Sequence, residues 1–175
     1  YFRLNDLTAP FQEIVNTYGV PRYREINPGL FTIATFPFLF GVMFGDIGHG
    51  ALLLAFGIYL VWWKDEIEKS KGMLAMVLPA RYLFLLQGFF AFYAGLIYND
   101  FMAMPFNLFG SCYPHPEEGH HGPIPKEDPD CNYPLGVDPG WYGTNNELTF
   151  LNSLKMKLAI VLGVAHMTFG NFFMN

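Results

Sequence analysis

The feature that most restricts this chain is one apolar run, "LFTIATFPFLFGVMFGDIGHGALLLAFGIYLVWW", residues 30–63. Apart from tyrosine, its only ionisable side chains are Asp46 and His49, both inside "FGDIGHG". A spanning helix needs about 20 apolar residues to cross about 30 Å of hydrocarbon. As a single helix the run would measure about 51 Å, too long for one ordinary span and short for two. It belongs in lipid, and any bend that shortens it falls near Gly45–Gly50.

Composition agrees. Hydrophobic residues make up 52% of the 175 residues and charged residues 14%, against about 25% charged in a typical soluble domain. The charges are segregated as well. Two further apolar blocks follow, residues 82–98 and 158–174. The net charge of −5 says little about partners, because most of the acid lies in one loop, and no basic patch suggests nucleic acid. The start lacks the apolar core of a signal peptide. The end stops inside an apolar block, so the expectation is a piece of something longer.

Charge bias decides whether 30–63 crosses once or twice. Arg3, Arg22 and Arg24 precede the run, and Lys64, Lys69, Lys71 and Arg81 follow it. Residues 99–152 hold one lysine, no arginine and eight acids. Under the positive-inside rule both basic flanks are cytosolic and the acidic loop lies opposite. Two basic flanks on one side require an even number of crossings between them, so the run is a hairpin. Lys155 and Lys157 fit this scheme less well.

The expected fold is all-α, a polytopic transmembrane helical bundle with a long irregular non-cytoplasmic loop. Residues 1–29 form a cytosolic lead-in, with a short helix capped by Thr8, carrying Pro10 in its first turn and ended by Gly19. Residues 30–63 form the hairpin and 64–81 a cytosolic loop. Residues 82–104 form a transmembrane helix, 105–153 a lumenal loop, and 154–175 a last transmembrane helix. The loop region holds eight of the thirteen prolines and both cysteines.

Small residues recur at helical spacing. Gly41, Gly45 and Gly48 form one stripe, Gly88, Ala91 and Gly95 a second, and Ala159, Gly163 and Gly170 a third. Such stripes let membrane helices approach closely, so the expectation is packing against protein. Asp46 and His49, at i and i+3, have two readings. One is a proton path, the default for ionisable groups within a membrane. The other is a bend at the membrane border, with Asp46 capping the returning helix. His166 shares the face of the third stripe and should look into the bundle, as a hydrogen-bonded core histidine or a proton relay.

A metal site from Asp46, His49 and His166 lacks any fixed ligand spacing, so no metal and no cofactor is expected. "HPEEGHH" (115–121) reads as a solvated loop rather than a zinc site. Asp100 marks the membrane edge. Cys112 and Cys131 would be disulfide-bonded on a lumenal side and free on a cytosolic one. No nucleotide loop, nucleophile elbow or CxxC pair is present.

Three longer stretches carry a resemblance. "YREINPGLFTIATFPFLFGVMFGDIGHG" (23–50), "RYLFLLQGFFAFYAGLIYNDFMAMPFNLFGS" (81–111) and "YPLGVDPGWYGTNNELTFLNSLKMKLAIVLGVAHMTFG" (133–170) closely resemble, in order, the membrane part of the a subunits of vacuolar-type proton ATPases. Residues 114–131 fall where that family looks divergent. The resemblance implies a stator beside a ring of proteolipid c subunits, within a multi-subunit pump of acidic endomembranes such as vacuole, lysosome, endosome and Golgi. ATP hydrolysis would occur on other subunits. It also implies a decisive arginine in later helices, and none of Arg3, Arg22, Arg24 or Arg81 matches that position. The alternatives are a secondary proton-coupled transporter using Asp46 and His166, and an intramembrane metal hydrolase using Asp46, His49 and His166.

Overall fold

The computed structural model describes residues 3–22, 25–114, 125, 126, 129–142, 144 and 147–174. Arg24 and "HPEEGHH" lie outside the described residues.

The lead-in forms α1, Ala9–Tyr18, with Pro10 in its first turn and Gly19 ending it. Thr8 does not cap this helix. Its Oγ1 instead accepts from Asn5 N at 2.8 Å and donates to Asn5 O at 3.1 Å. Two 16-residue apolar helices follow, α2 (Gly29–Phe44) and α3 (Ile47–Trp62). The break between them is short, because Gly45 ends α2 and Asp46 adopts an extended conformation that starts α3.

Residues 64–81, expected as a loop, are mostly helical. α4 (Lys64–Ser70) turns 78° from α3, and α5 (Met73–Val77) leads through a 3-10 turn, Leu78–Ala80, into α6 (Arg81–Tyr98). The cause is a small apolar core, in which Leu60, Ile67 and Leu78 are buried together against Phe56, Val77 and Phe84. Ile67 pulls α4 back under the bundle.

α6 ends at Tyr98 rather than reaching 104. Asn99 takes a left-handed conformation (φ 55°), which asparagine tolerates better than most residues. Its side chain donates to Phe106 O at 2.9 Å and Val137 O at 3.2 Å. The chain then doubles back in a two-stranded antiparallel ladder, β1 (Asp100–Phe101) with β2 (Met104–Pro105). The described part of the loop is largely irregular, and α7 (Glu147–Met174) starts earlier than the expected 154.

Neighbours fix the directions of the helices. Gly41 abuts Phe90, and Gly45 abuts Ala94 and Tyr98, so α2 runs parallel to α6. Along α3 the order is reversed. Ile47 meets Gly95, Gly50 meets Phe92, Leu54 meets Gly88 and Gly57 meets Leu85. α2 and α3 are therefore antiparallel to each other, and both pack on α6. α7 returns alongside α2. Two helices, Met73–Tyr98 and Thr149–Phe172, are long and apolar enough to cross a membrane, or three if the bent pair α3–α4 counts as one span. The chain is an all-α integral membrane protein.

Candidate functional site at the helix bend

The bend brings polar groups to one end of an apolar bundle. Asp46 Oδ1 accepts from Gly48 N at 2.7 Å and His49 N at 3.2 Å, the first free amides of α3. A short carboxylate at this position satisfies donors that have no partner within the helix. Met102 N adds a longer contact at 3.3 Å, and His49 Nδ1 sits 2.9 Å from Asp46 Oδ2. The Asp46 carboxylate is thus occupied on both oxygens, which suits a cap better than a group that must release its contacts to relay a proton. His49 is the exposed member of the pair, its side chain 55% accessible against 14% for Asp46.

Beside the bend, Asp100 and Lys155 form an ion pair at 3.0 Å, with both side chains largely buried. Lys155 Nζ also approaches Gly45 O at 3.4 Å and lies over the Tyr98 ring. Tyr98 donates to Val42 O at 2.8 Å, tying α6 to α2. Tyr142 donates to Tyr98 O at 3.4 Å. Burial above all, then the charges of Asp100, Glu147 and Asp46, pushes the Tyr142 phenol well above its ordinary range.

The loop behind this end is built around Asp138. Its carboxylate accepts from Ser111 Oγ at 2.6 Å, Gly140 N at 2.8 Å and Cys112 N at 3.0 Å. Burial works to raise the Asp138 carboxyl, but these hydrogen bonds and the charge of Lys126 outweigh it and hold the group below its ordinary value. Cys112 and Cys131 are joined in a disulfide with a Cα–Cα distance of 5.8 Å. Val137 N donates to Ile97 O at 3.1 Å, so the loop also satisfies a carbonyl of the last turn of α6.

A family model described as "V-type ATPase 116kDa subunit family" matches residues 1–175. The chain belongs to that family.

Among curated members of the V-type ATPase 116 kDa subunit family, V-type proton ATPase subunit a of Schizosaccharomyces pombe is 42% identical over 97% of this chain and 21% of its own length. V-type proton ATPase 116 kDa subunit a 2 of Homo sapiens is 44% identical over 96% of this chain and 23% of its own. Subunit a1 of Arabidopsis thaliana is 46% identical over 97% and 21%. The chain spans about a fifth of the length of the curated relatives it matches.

In this family member the three small-residue stripes have different surroundings. Gly41, Gly45 and Gly48 do not share one helix, because the chain breaks between the second and the third. All three nonetheless face α6 or the turn after it, Gly48 against the Met102 side chain. Gly88, Ala91 and Gly95 line the α3 side of α6, and Gly88 and Gly95 lie against the α3 backbone. Opposite them are Gly50 and Gly57, which reading the sequence missed. Their seven-residue spacing was the available signal. Gly163 and Gly170 have open space where a Cβ would stand, and Ala159 is partly exposed, so the third stripe does not pack as expected.

His166 is also misplaced by that expectation. It is exposed, hydrogen-bonds to no described residue, and lines a groove of about 240 Å³ with Pro28, Thr32 and Thr35 of the α2 end. That is eleven residues beyond Lys155, about 16 Å along α7 from the bend. Asp46 and His166 are not brought together, and among the described residues no cluster of three or more metal-ligating side chains forms.

Proposed function

We propose that this chain is the stretch of a vacuolar-type proton ATPase a subunit that enters the membrane. It scaffolds the proton half-channels of the stator beside the ring of proteolipid subunits. In this reading it contributes to proton translocation and compartment acidification through the whole pump, and hydrolyses no ATP itself. Its partners are the proteolipid ring, other pump subunits and membrane lipid. The observation that carries the reading is the family match over residues 1–175. The interlocked α3–α6 face gives it a physical basis, because glycine-mediated backbone contact makes a rigid wall without polar groups in lipid.

The segment before α2 and the turn between α3 and α6 are assigned to the cytosol. The disulfide loop is assigned to the lumen of an acidic endomembrane compartment. Support comes from Arg3, Arg22, Lys64, Lys69, Lys71 and Arg81 collecting at one end of the bundle, away from the acidic loop.

A chimera tests the function. The matching stretch of the fission-yeast subunit a is replaced by this chain, and ATP-driven acidification of vacuolar vesicles is measured. Restored acidification is the expected result, and assembled pumps that fail to acidify would overturn it. Sidedness is checked by an impermeant thiol reagent on sealed vesicles after reduction. Modification of Cys112 or Cys131 from the cytosolic side would reverse the orientation.

A further inference from the structure

At the end of the bundle opposite the bend, one carboxylate joins three parts of the chain. Asp6 Oδ2 accepts from Arg81 Nη2 at 2.6 Å and from Lys64 Nζ at 3.3 Å, partners 75 and 58 positions away. Arg81 opens α6 and its side chain is only 7% exposed. Its other arm donates to Leu78 O at 3.2 Å, and its guanidinium lies over the Tyr82 ring. A cation this buried needs a counter-charge, because desolvation penalises an unpaired charge heavily. Among the described residues Asp6 is the only carboxylate that pairs with it. Lys64 begins α4 where α3 ends. The hydrogen bonds from Arg81, then those from Lys64, hold the Asp6 carboxyl below its ordinary range.

A second attachment completes the arrangement. Asn27 Nδ2 donates to Gln12 Oε1 at 2.7 Å, and Gly29 N donates to Asn27 Oδ1 at 3.0 Å. Gln12 is buried against Gly29 at the start of α2. The α1 segment thus straddles the ends of α2, α3 and α6. Among the described residues, only the Asp6 contact reaches the last two through side-chain charge.

We propose that Asp6 is a positioning residue, whose carboxylate seats the α1 segment on Lys64 and Arg81 so that this segment and the membrane bundle move as one body. Under the stator reading, on which the consequence rests, load from the cytosolic side enters the bundle through this seat as well as through α2. Without it, the α1 segment would swing on the α2 junction alone, and part of the rotary work would be lost as motion of the stator.

The test uses the intact pump spin-labelled at Glu13→Cys in α1 and Tyr93→Cys in α6. A single narrow distance is expected, broadened in Asp6→Asn and narrow again in Asp6→Glu, which keeps the charge. Asp6 is two-thirds exposed, and an exposed pair holds its partners by a small factor, so protons moved per ATP should fall about twofold in Asp6→Asn. Raising the salt concentration should broaden the distance in the unaltered pump, a reading that needs no variant. An unchanged distance in Asp6→Asn, or one insensitive to salt, overturns the seat. A broadened distance with an unchanged proton-to-ATP ratio overturns its role in load. Were the pump reading itself wrong, the distance would still respond to Asp6, and no proton transport would depend on the chain.

Discussion

Lys155 Nζ lies 3.0 Å from Asp100 Oδ2, although 55 positions separate them in the chain. This pair answers one of the two charges, Lys155 and Lys157, that fitted the topology poorly. Lys155 stands near the start of α7, at the acidic end of the bundle, and a carboxylate at the end of α6 answers it on the spot. A lysine neutralised within the protein contributes little to the charge bias of its side of the membrane.

Breaking that pair should loosen the bend. Asp100→Asn leaves a largely buried ammonium without its counter-charge, and a loss of about 2 kcal/mol is expected, between the values for exposed and buried pairs. Asp100→Asn combined with Lys155→Met should cost less than Asp100→Asn alone. Thermal unfolding in detergent of the single and double variants measures this. Equal losses would mean that the pair holds nothing.

The interlocked glycines should be intolerant and the open ones tolerant. Gly88→Val drives a side chain into the backbone of Leu54, so a loss of about 2 kcal/mol or more is expected from overpacking. Gly57→Val meets the Leu85 backbone and should behave alike. Gly163→Val enters open space and should leave the four-helix arrangement intact. Cysteine cross-linking between α3 and α6 reports the difference. A cross-link that forms as well in Gly88→Val would show that the α3–α6 contact tolerates the added side chain and does not need the glycine.

Asp46 should prove structural. Asp46→Asn keeps an oxygen toward the α3 amides, and proton transport by the intact pump should remain measurable. Asp46→Ala removes the cap and should cost about 1 kcal/mol. Complete loss of transport in normally assembled Asp46→Asn pumps would place the carboxylate in the proton path.

Acid should leave the loop clasp standing until late. Asp138 has a folded pKa below its unfolded value, so its contribution is fully present above the unfolded value of about 3.9. It is lost only as pH falls through the lower folded value. At neutral pH, Asp138→Asn should therefore cost about 2 kcal/mol of loop stability, the scale of hydrogen bonds to a charged group. That difference should persist at pH 5 and vanish in strong acid. Hydrogen exchange at the Cys112 and Gly140 amides follows it, and a difference already gone at pH 5 would refute the assignment.

Some of this was legible in residue order alone. The apolar run with "FGDIGHG" at its middle carried the helix break, because 34 residues are too long for one ordinary span. The stripe Gly88–Ala91–Gly95 carried its own packing face. The third stripe differs, since Gly163 and Gly170 have helical spacing too, yet no described residue outside their own helix turn lies within 4 Å of where their Cβ would stand. Spacing shows which face a helix offers, and only a neighbour decides whether that face is covered.

By itself, then, the sequence determined membrane class, family, the bend and the end of the bundle at which each charge run collects. These follow from hydrophobicity and charge counted along the chain. Only the tertiary structure decided that Asp46 is a cap, that Asp100 answers Lys155, that Asp6 answers Arg81, and that Gly50 and Gly57 meet α6. Apart from the Asp46 cap, whose amide partners Gly48 and His49 are close in the chain, each of these depends on contact between residues far apart. A buried charge or a bare backbone is stable only where the fold supplies its partner.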